Sequence, residues 1–287
     1  MQHHTTLVGT NNYPLNQLTR MGRFLYGIGI AAIGIHQFII KDFRPDILPP
    51  FPAWAHQYIA FPLLAGAALV FAGTVIAGLL KIKIASPRRV SLYLGFCFLV
   101  LIITCYLPYI LIFSPDTAAR LDVWFGVGEA LAYSGGAFVI AGSYSDNNLT
   151  PRKNSFELFM ERFISSGRIF FAILIILFGC SHFIFAEFVS KMVPAWIGFR
   201  MFLTYFVGVA LVGSGVAIIF RIWIKPVALL LAMMLFLFFL FFHIPDAIAN
   251  PSVGGGNEIV RAIVALLFCG IALVIATTNR QDSLSSD

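Results

Sequence analysis

The sequence is poor in charge. Of its 287 residues, 11% are Asp, Glu, Lys or Arg, against 59% hydrophobic. A soluble domain of this length cannot bury so much apolar surface behind so few charges. Paired thiols are missing too. Cys97, Cys105, Cys180 and Cys269 stand singly inside apolar runs, with neither a C-x-x-C pair nor metal-ligand spacing. They read as small core hydrophobes, which excludes a disulfide framework and gives no reason to expect a metal site. Residues 1–20 are polar and lack the charged, apolar and small-residue order of a cleavable leader, so they read as a tail. The net charge of +6 is scattered between apolar runs and forms no basic stripe, which argues against a nucleic-acid partner.

What the chain does contain is a series of hydrophobic runs of about 17 to 25 residues, the length that crosses a bilayer. They cover 22–40, 58–80, 90–113 and 123–142, and then, past a polar stretch, 166–185, 199–222, 226–244 and 258–277. The expected fold is all-α: a polytopic integral membrane protein with eight transmembrane helices as two fused four-helix bundles. The first unit is 21–142, the second 166–278, and 279–287 is a polar tail. The cytoplasmic linker 143–165 is rich in turn residues and includes a segment, 156–163, that reads as a short surface helix. Lys and Arg fall on the N-terminal side of the membrane by about two to one, so the positive-inside rule puts both termini in the cytoplasm, with a bacterial inner membrane the expected setting. Trp54, Trp124 and Trp196 then lie at the outer interface and Trp223 at the inner one.

The two halves match. Gly22-Arg23 corresponds to Gly167-Arg168, Phe38 to Phe183, Asp42 to Glu187, Trp54 to Trp196, Gly66 to Gly208 and Gly73 to Gly215. Further on, Tyr106-Leu-Pro108 corresponds to His243-Ile-Pro245, and Gly128-Glu129 is matched to Asn257-Glu258. Four spans per copy give both copies the same orientation, so the expectation is a parallel tandem duplication about an axis along the membrane normal.

The second half carries Gly179-Cys-Ser-His182-Phe, Val193-Pro-Ala-Trp196, Tyr205-Phe-Val-Gly208, Gly213-Ser-Gly215, His243-Ile-Pro-Asp246 and Asn257-Glu258. With these motifs it resembles the DoxX/DoxX-like family of four-helix membrane proteins, and the first half does so more faintly. The resemblance implies a four-helix unit and, from family members that are membrane subunits of thiosulfate:quinone oxidoreductases, a place in quinone-linked redox chemistry. The chain departs from the pattern in two ways. The proline that often follows Pro-x-Trp is replaced, since Trp196 is followed by Ile-Gly-Phe-Arg200, and the first-half histidine, His36, lies one position early.

Unusual polar residues gather toward the expected outer ends of helices. An ionisable side chain at a span's centre costs roughly 2.5 to 3.5 kcal/mol on insertion scales, less at the rim, so each needs a partner, water or a function. The candidates for ligand binding or proton handling are His182, His243, Glu258, Glu129, Glu187, Asp246 and His36. A histidine here can hydrogen-bond a quinone carbonyl, move a proton or ligate haem iron; the bland alternative is a bond within the helix packing. Glu187, five residues after His182, falls on another helical face unless the helix ends between them. His243 and Asp246 share a face, but Pro245 between them disfavours continuation of the helix, which puts His243 at a kink or helix end. Glu258 has Arg261 three residues on as an ion-pair partner, whereas Glu129 has an alanine there.

The leading expectation is a membrane component of a quinone-linked redox system, with a lipophilic pocket toward the outer face, the lipid bilayer around it and a redox protein as partner. A small-molecule or proton-coupled transporter and a non-catalytic scaffold or assembly factor are the alternatives, and haem is a lesser cofactor candidate than quinone.

Overall fold

The computed structural model describes residues 13–44, 47–82, 85–144, 154–194 and 196–278, so most of the expected tails and of the linker lies outside the described residues. The chain is all-helical, 83% helix, with no strand among the described residues. Its α-helices are α1 (Tyr13–Ile40), α2 (Ala53–Gln57), α3 (Ala60–Ile76), α4 (Pro87–Leu101), α5 (Leu121–Gly142), α6 (Ser155–Glu161), α7 (Gly167–Ile184), α8 (Ala186–Met192), α9 (Arg200–Phe220), α10 (Ile224–Phe238), α11 (Ile244–Ala249) and α12 (Asn257–Thr278). Among the described residues, seven helices are long and apolar enough to cross a membrane, as in a multi-pass membrane protein. The expected run 58–80 shortens to the 17-residue α3, because Gly78, at φ 76°, turns the chain just after it. At the other extreme, α1 begins at Tyr13, inside what reads as a tail.

The long helices pack in chain order. Helix α3 lies on α1 and α4, α5 on α4 and α7, α9 on α7 and α10, and α12 on α10. Packing of α12 along α1 closes the ring, and α5 meets α12 across its middle. The seams α1–α12 and α5–α7 therefore join one expected half to the other.

Glycines set these seams. A Cβ on Gly34 would stand 2.6 Å from the carbonyl oxygen of Gly66, and one on Gly179 2.9 Å from that of Gly208. Likewise Gly22 faces Gly270 across α1–α12, and Gly167 faces Gly135 across α7–α5. Close backbone approach through small residues is how helices gain contact in lipid, where the hydrophobic effect gives them no reason to associate. Matching the halves by these crossings pairs Gly135 with Gly270. The sequence match of Glu129 with Glu258 would instead set Ala141 against Gly270, six residues later. The two glutamates therefore do not occupy corresponding positions.

At the centre, Tyr26, Phe98, Tyr133, Phe171 and Phe268 are fully buried, and Tyr133 and Phe268 meet at 6.0 Å across the α5–α12 contact. The Tyr26 hydroxyl donates to the Tyr133 carbonyl at 2.7 Å. Removing it in Tyr26→Phe is expected to cost about 1 kcal/mol, measured as a small drop in thermal unfolding temperature in detergent. The outward surface is apolar: Phe202, Phe206, Val209, Leu230 and Met233 are all exposed, as a lipid-facing surface requires.

The short surface helix expected at 156–163 is α6. Asn154 and Glu157 form its capping box, and ion pairs from Arg88 to Glu161 and from Arg89 to Glu157 (3.0 Å) tie it to α4.

Candidate functional site

Of the kink or helix end expected at Pro245, the helix end does not occur. Helix α10 passes into a π-helical segment, Phe239–His243, and then directly into α11. Proline lacks the N–H that an α-helix would use and crowds the carbonyl one turn back, and a widened turn relieves both without ending the helix. The same device recurs beside Pro108, between π-helical segments Ile102–Tyr106 and Tyr109–Phe113. His243 closes its π segment, and Asp246 lies one turn on in α11.

Both face the first turn of α12. Glu258 is buried, 8% exposed, and its Oε1 accepts from Arg261 Nη1 at 2.6 Å, the expected i,i+3 pair. Its other oxygen, Oε2, is buried with no conventional donor. The Asp246 carboxyl is close enough to act on the Glu258 carboxyl. Asp246 Oδ1 also accepts from Asn250 Nδ2 at 2.7 Å. His243 feels the charges of both Arg261 and Asp246. The four side chains His243, Asp246, Glu258 and Arg261 therefore form one cluster where the π segment and α11 pack on α12.

On the other side of the same turn stand residues from the first half. His36 is buried at the end of α1, beneath the Gly254-Gly-Gly256 turn. A Cβ on Gly256 would stand 2.6 Å from His36 Nε2, and Gly256 also has φ 84°, so only glycine fits there. Buried Arg44 donates from Nη2 to Asn257 Oδ1 at 2.6 Å. Arg44 escaped the sequence reading because Lys41-Asp42-Phe43-Arg44 looks like an ordinary solvated connection; a charged residue closely following a span was the available signal.

The remaining candidates have other recorded surroundings. His182 Nδ1 donates to Phe178 O, one turn back in its own helix, at 2.7 Å, and its Cβ packs against Gly208. Helix α7 does end between His182 and Glu187, at Ile184, but Glu187 is exposed on α8. Glu129 sits half-buried about two turns into α5, next to Gly128, which packs on Leu174 and Leu177 of α7. The first-half corner that matches Glu187 is held differently. His56 bonds Asp42 Oδ1 through Nδ1 at 3.1 Å and donates from Nε2 to Pro49 O at 2.8 Å.

No group of three or more His, Cys, Asp or Glu side chains among the described residues is arranged to hold a metal ion. A recess of about 140 Å³ opens where α7 starts and α9 and α12 end, and not beside the carboxyl cluster. The chain matches no family model, and no curated protein and no solved structure matches it.

Proposed function

We propose that this chain is an eight-span membrane protein, a tandem repeat of a DoxX-like four-helix unit with both termini in the cytoplasm. In this reading it exchanges protons with a quinone as the membrane component of a redox system. Helix α3 supplies the eighth span: its 17 residues rise about 25 Å, and the glycine contacts hold it along α1. The glycine crossings at matching places in both halves support the repeat.

The observation that carries the function is the Asp246–Glu258 carboxyl pair with His243 beside it. Reducing a quinone to a quinol consumes two electrons and two protons, so a quinone site needs a proton donor next to a carbonyl oxygen in an otherwise apolar setting. Here His243 supplies the hydrogen bond, the carboxyl pair stores the proton, Arg261 holds the ionised state, and the Phe239–Phe242 stretch offers aromatic wall. Electrons would come from a partner protein. His182, bonded within its own helix, drops to a packing role.

The test is to purify the protein in mild detergent, extract it for quinone, and titrate a short-chain quinone. Bound quinone in the extract and a tenfold or greater loss of affinity in His243→Ala are expected. An empty extract together with unchanged affinity in the variant would end this reading.

A second reading, a proton-coupled transporter, is favoured by one further observation: the second half carries the carboxyl cluster at one face and an arginine-lined recess at the other. Counterflow in proteoliposomes separates the two readings, since a transporter accumulates labelled substrate without any electron donor.

A further inference from the structure

Helix α6 is built the wrong way round for a helix in water. Its two charged side chains, Glu157 and Glu161, turn toward the protein, where Arg89 holds Glu157 at 3.0 Å and Arg88 holds Glu161. Met160, fully buried beside them, joins a small core with Leu92 of α4 and with Phe138 and Ala141 of α5. Phe156, Leu158 and Phe159 are exposed, at 43%, 51% and 44%. Apart from Ser155 at its start, every exposed residue of this helix is large and apolar. A surface helix in water shows the opposite arrangement, with its charged face outward and its apolar stripe on the core. Beside hydrocarbon the requirement inverts. Apolar side chains face out, and any charge turns inward onto a partner, because an unpaired ion there is costly.

The outward face of α6 also continues a surface already assigned to lipid. Phe156 meets Tyr93 at 6.2 Å and Phe96 at 5.1 Å, both on α4, and Phe159 meets Phe96 at 6.1 Å and Phe163 at 5.5 Å. Phe96 lies about 13 Å along α4 from its first residue, Pro87, so these rings sit well inside a helix long and apolar enough to cross a membrane. Tyr93, Val100 and Ile103 recur at helical spacing along the same stretch and are exposed. The rings of α6 widen that lipid-facing stripe at its start.

We propose that α6 is embedded in the bilayer, with Phe156, Leu158 and Phe159 against the acyl chains of the leaflet in which α4 begins. The Arg88–Glu161 and Arg89–Glu157 pairs neutralise its glutamates on the protein side, and the capping box of Asn154 and Glu157 satisfies backbone N–H groups at its start. The segment that joins the two halves therefore clasps α4 within the membrane, where the residue pattern reads as a cytoplasmic linker.

The experiment reconstitutes the full chain in phosphatidylcholine vesicles and compares Phe159→Trp with the wild type, so that the emission of the new indole is read by difference from that of the native tryptophans. Bromine on the lipid acyl chains is expected to cut the added emission by about half, as for an apolar face sunk below the headgroups. Iodide, present on both sides of the membrane, is expected to have much less effect. Should Phe159→Trp fail to fold, Leu158→Trp puts the indole on the same outward face and is expected to behave alike. Quenching by iodide at least as strong as that by brominated lipid would place α6 in water and overturn the proposal. Protection from both quenchers would overturn it too, since the face would then be covered by protein, a second copy of this chain included.

Discussion

Gly34→Leu is expected to stop α1 and α3 from closing and to cut the yield of folded, monodisperse protein at least tenfold. A Cβ at this position would lie 2.6 Å from Gly66 O, 2.9 Å from Val70 N and 2.9 Å from Leu69 Cβ. Two of those three atoms are helix backbone, which cannot move aside without breaking its own hydrogen bonds. Overpacking a core costs about 1 to 3 kcal/mol when side chains absorb the strain, and more when none can. The effect is large for a second reason. Helix α3, at 17 residues, is shorter than every helical stretch of membrane length, and its seam with α4 is much lighter than its seam with α1, so it has little else to hold it. Gly213→Leu is the matched control. Gly213 lies exposed on α9 with nothing within 4 Å of a built Cβ, so its yield should equal that of the wild type. Fluorescence-detected size-exclusion chromatography compares the two, and equal loss in both variants would deny the seam its role.

Glu258→Gln is expected to erase a protonated-carboxyl band from the infrared spectrum at neutral pH and to lower quinone affinity tenfold or more, about 1.4 kcal/mol per factor of ten. Glu258 has one oxygen on Arg261 at 2.6 Å and the other buried beside Asp246. In the proposed function this carboxyl pair shares a proton, which an amide at position 258 could not release. Asp246→Asn is expected to remove the same band, since each carboxyl needs the other to share that proton. Arg261→Gln should leave the band and alter the affinity less, because it removes the ion pair on the far oxygen alone. A band that survives in both Glu258→Gln and Asp246→Asn would mean that the pair holds no shared proton. Loss of the band without any change in quinone affinity would separate proton storage from the proposed redox role.

Much of the architecture was legible in the residues. Spans follow from run length alone, because a bilayer admits only backbone that bonds within itself. Seven helices match the apolar runs to within a few residues at most boundaries. One exception has a local cause, since positive φ at Gly78 shortens α3; another is α1, which is already helical at Tyr13, where the described residues begin. The Glu258–Arg261 pair was equally readable, since i,i+3 spacing on a helix is a fixed distance.

The candidate site was half legible. His243, Asp246 and Glu258 were named by type and position, but proline at 245 argued for a kink or helix end, and the π segment avoids the end. Whether a proline kinks, ends or widens a helix depends on what the neighbouring helix lets the backbone do, and here α12 packs on the π segment and α11 alike.

The chain by itself determined the helices, their lengths, the apolar outward faces and the polar residues at their ends, because each depends on a few neighbouring residues and the bilayer. Tertiary structure alone decided which ends meet. Contacts between helices distant in the chain depend on where two backbones can approach, and crossings such as Gly22 against Gly270 and Gly135 against Gly167 reveal that register. That register separates Glu129 from Glu258 and brings His36 and Arg44 of the first half to the turn of α12 that Glu258 occupies.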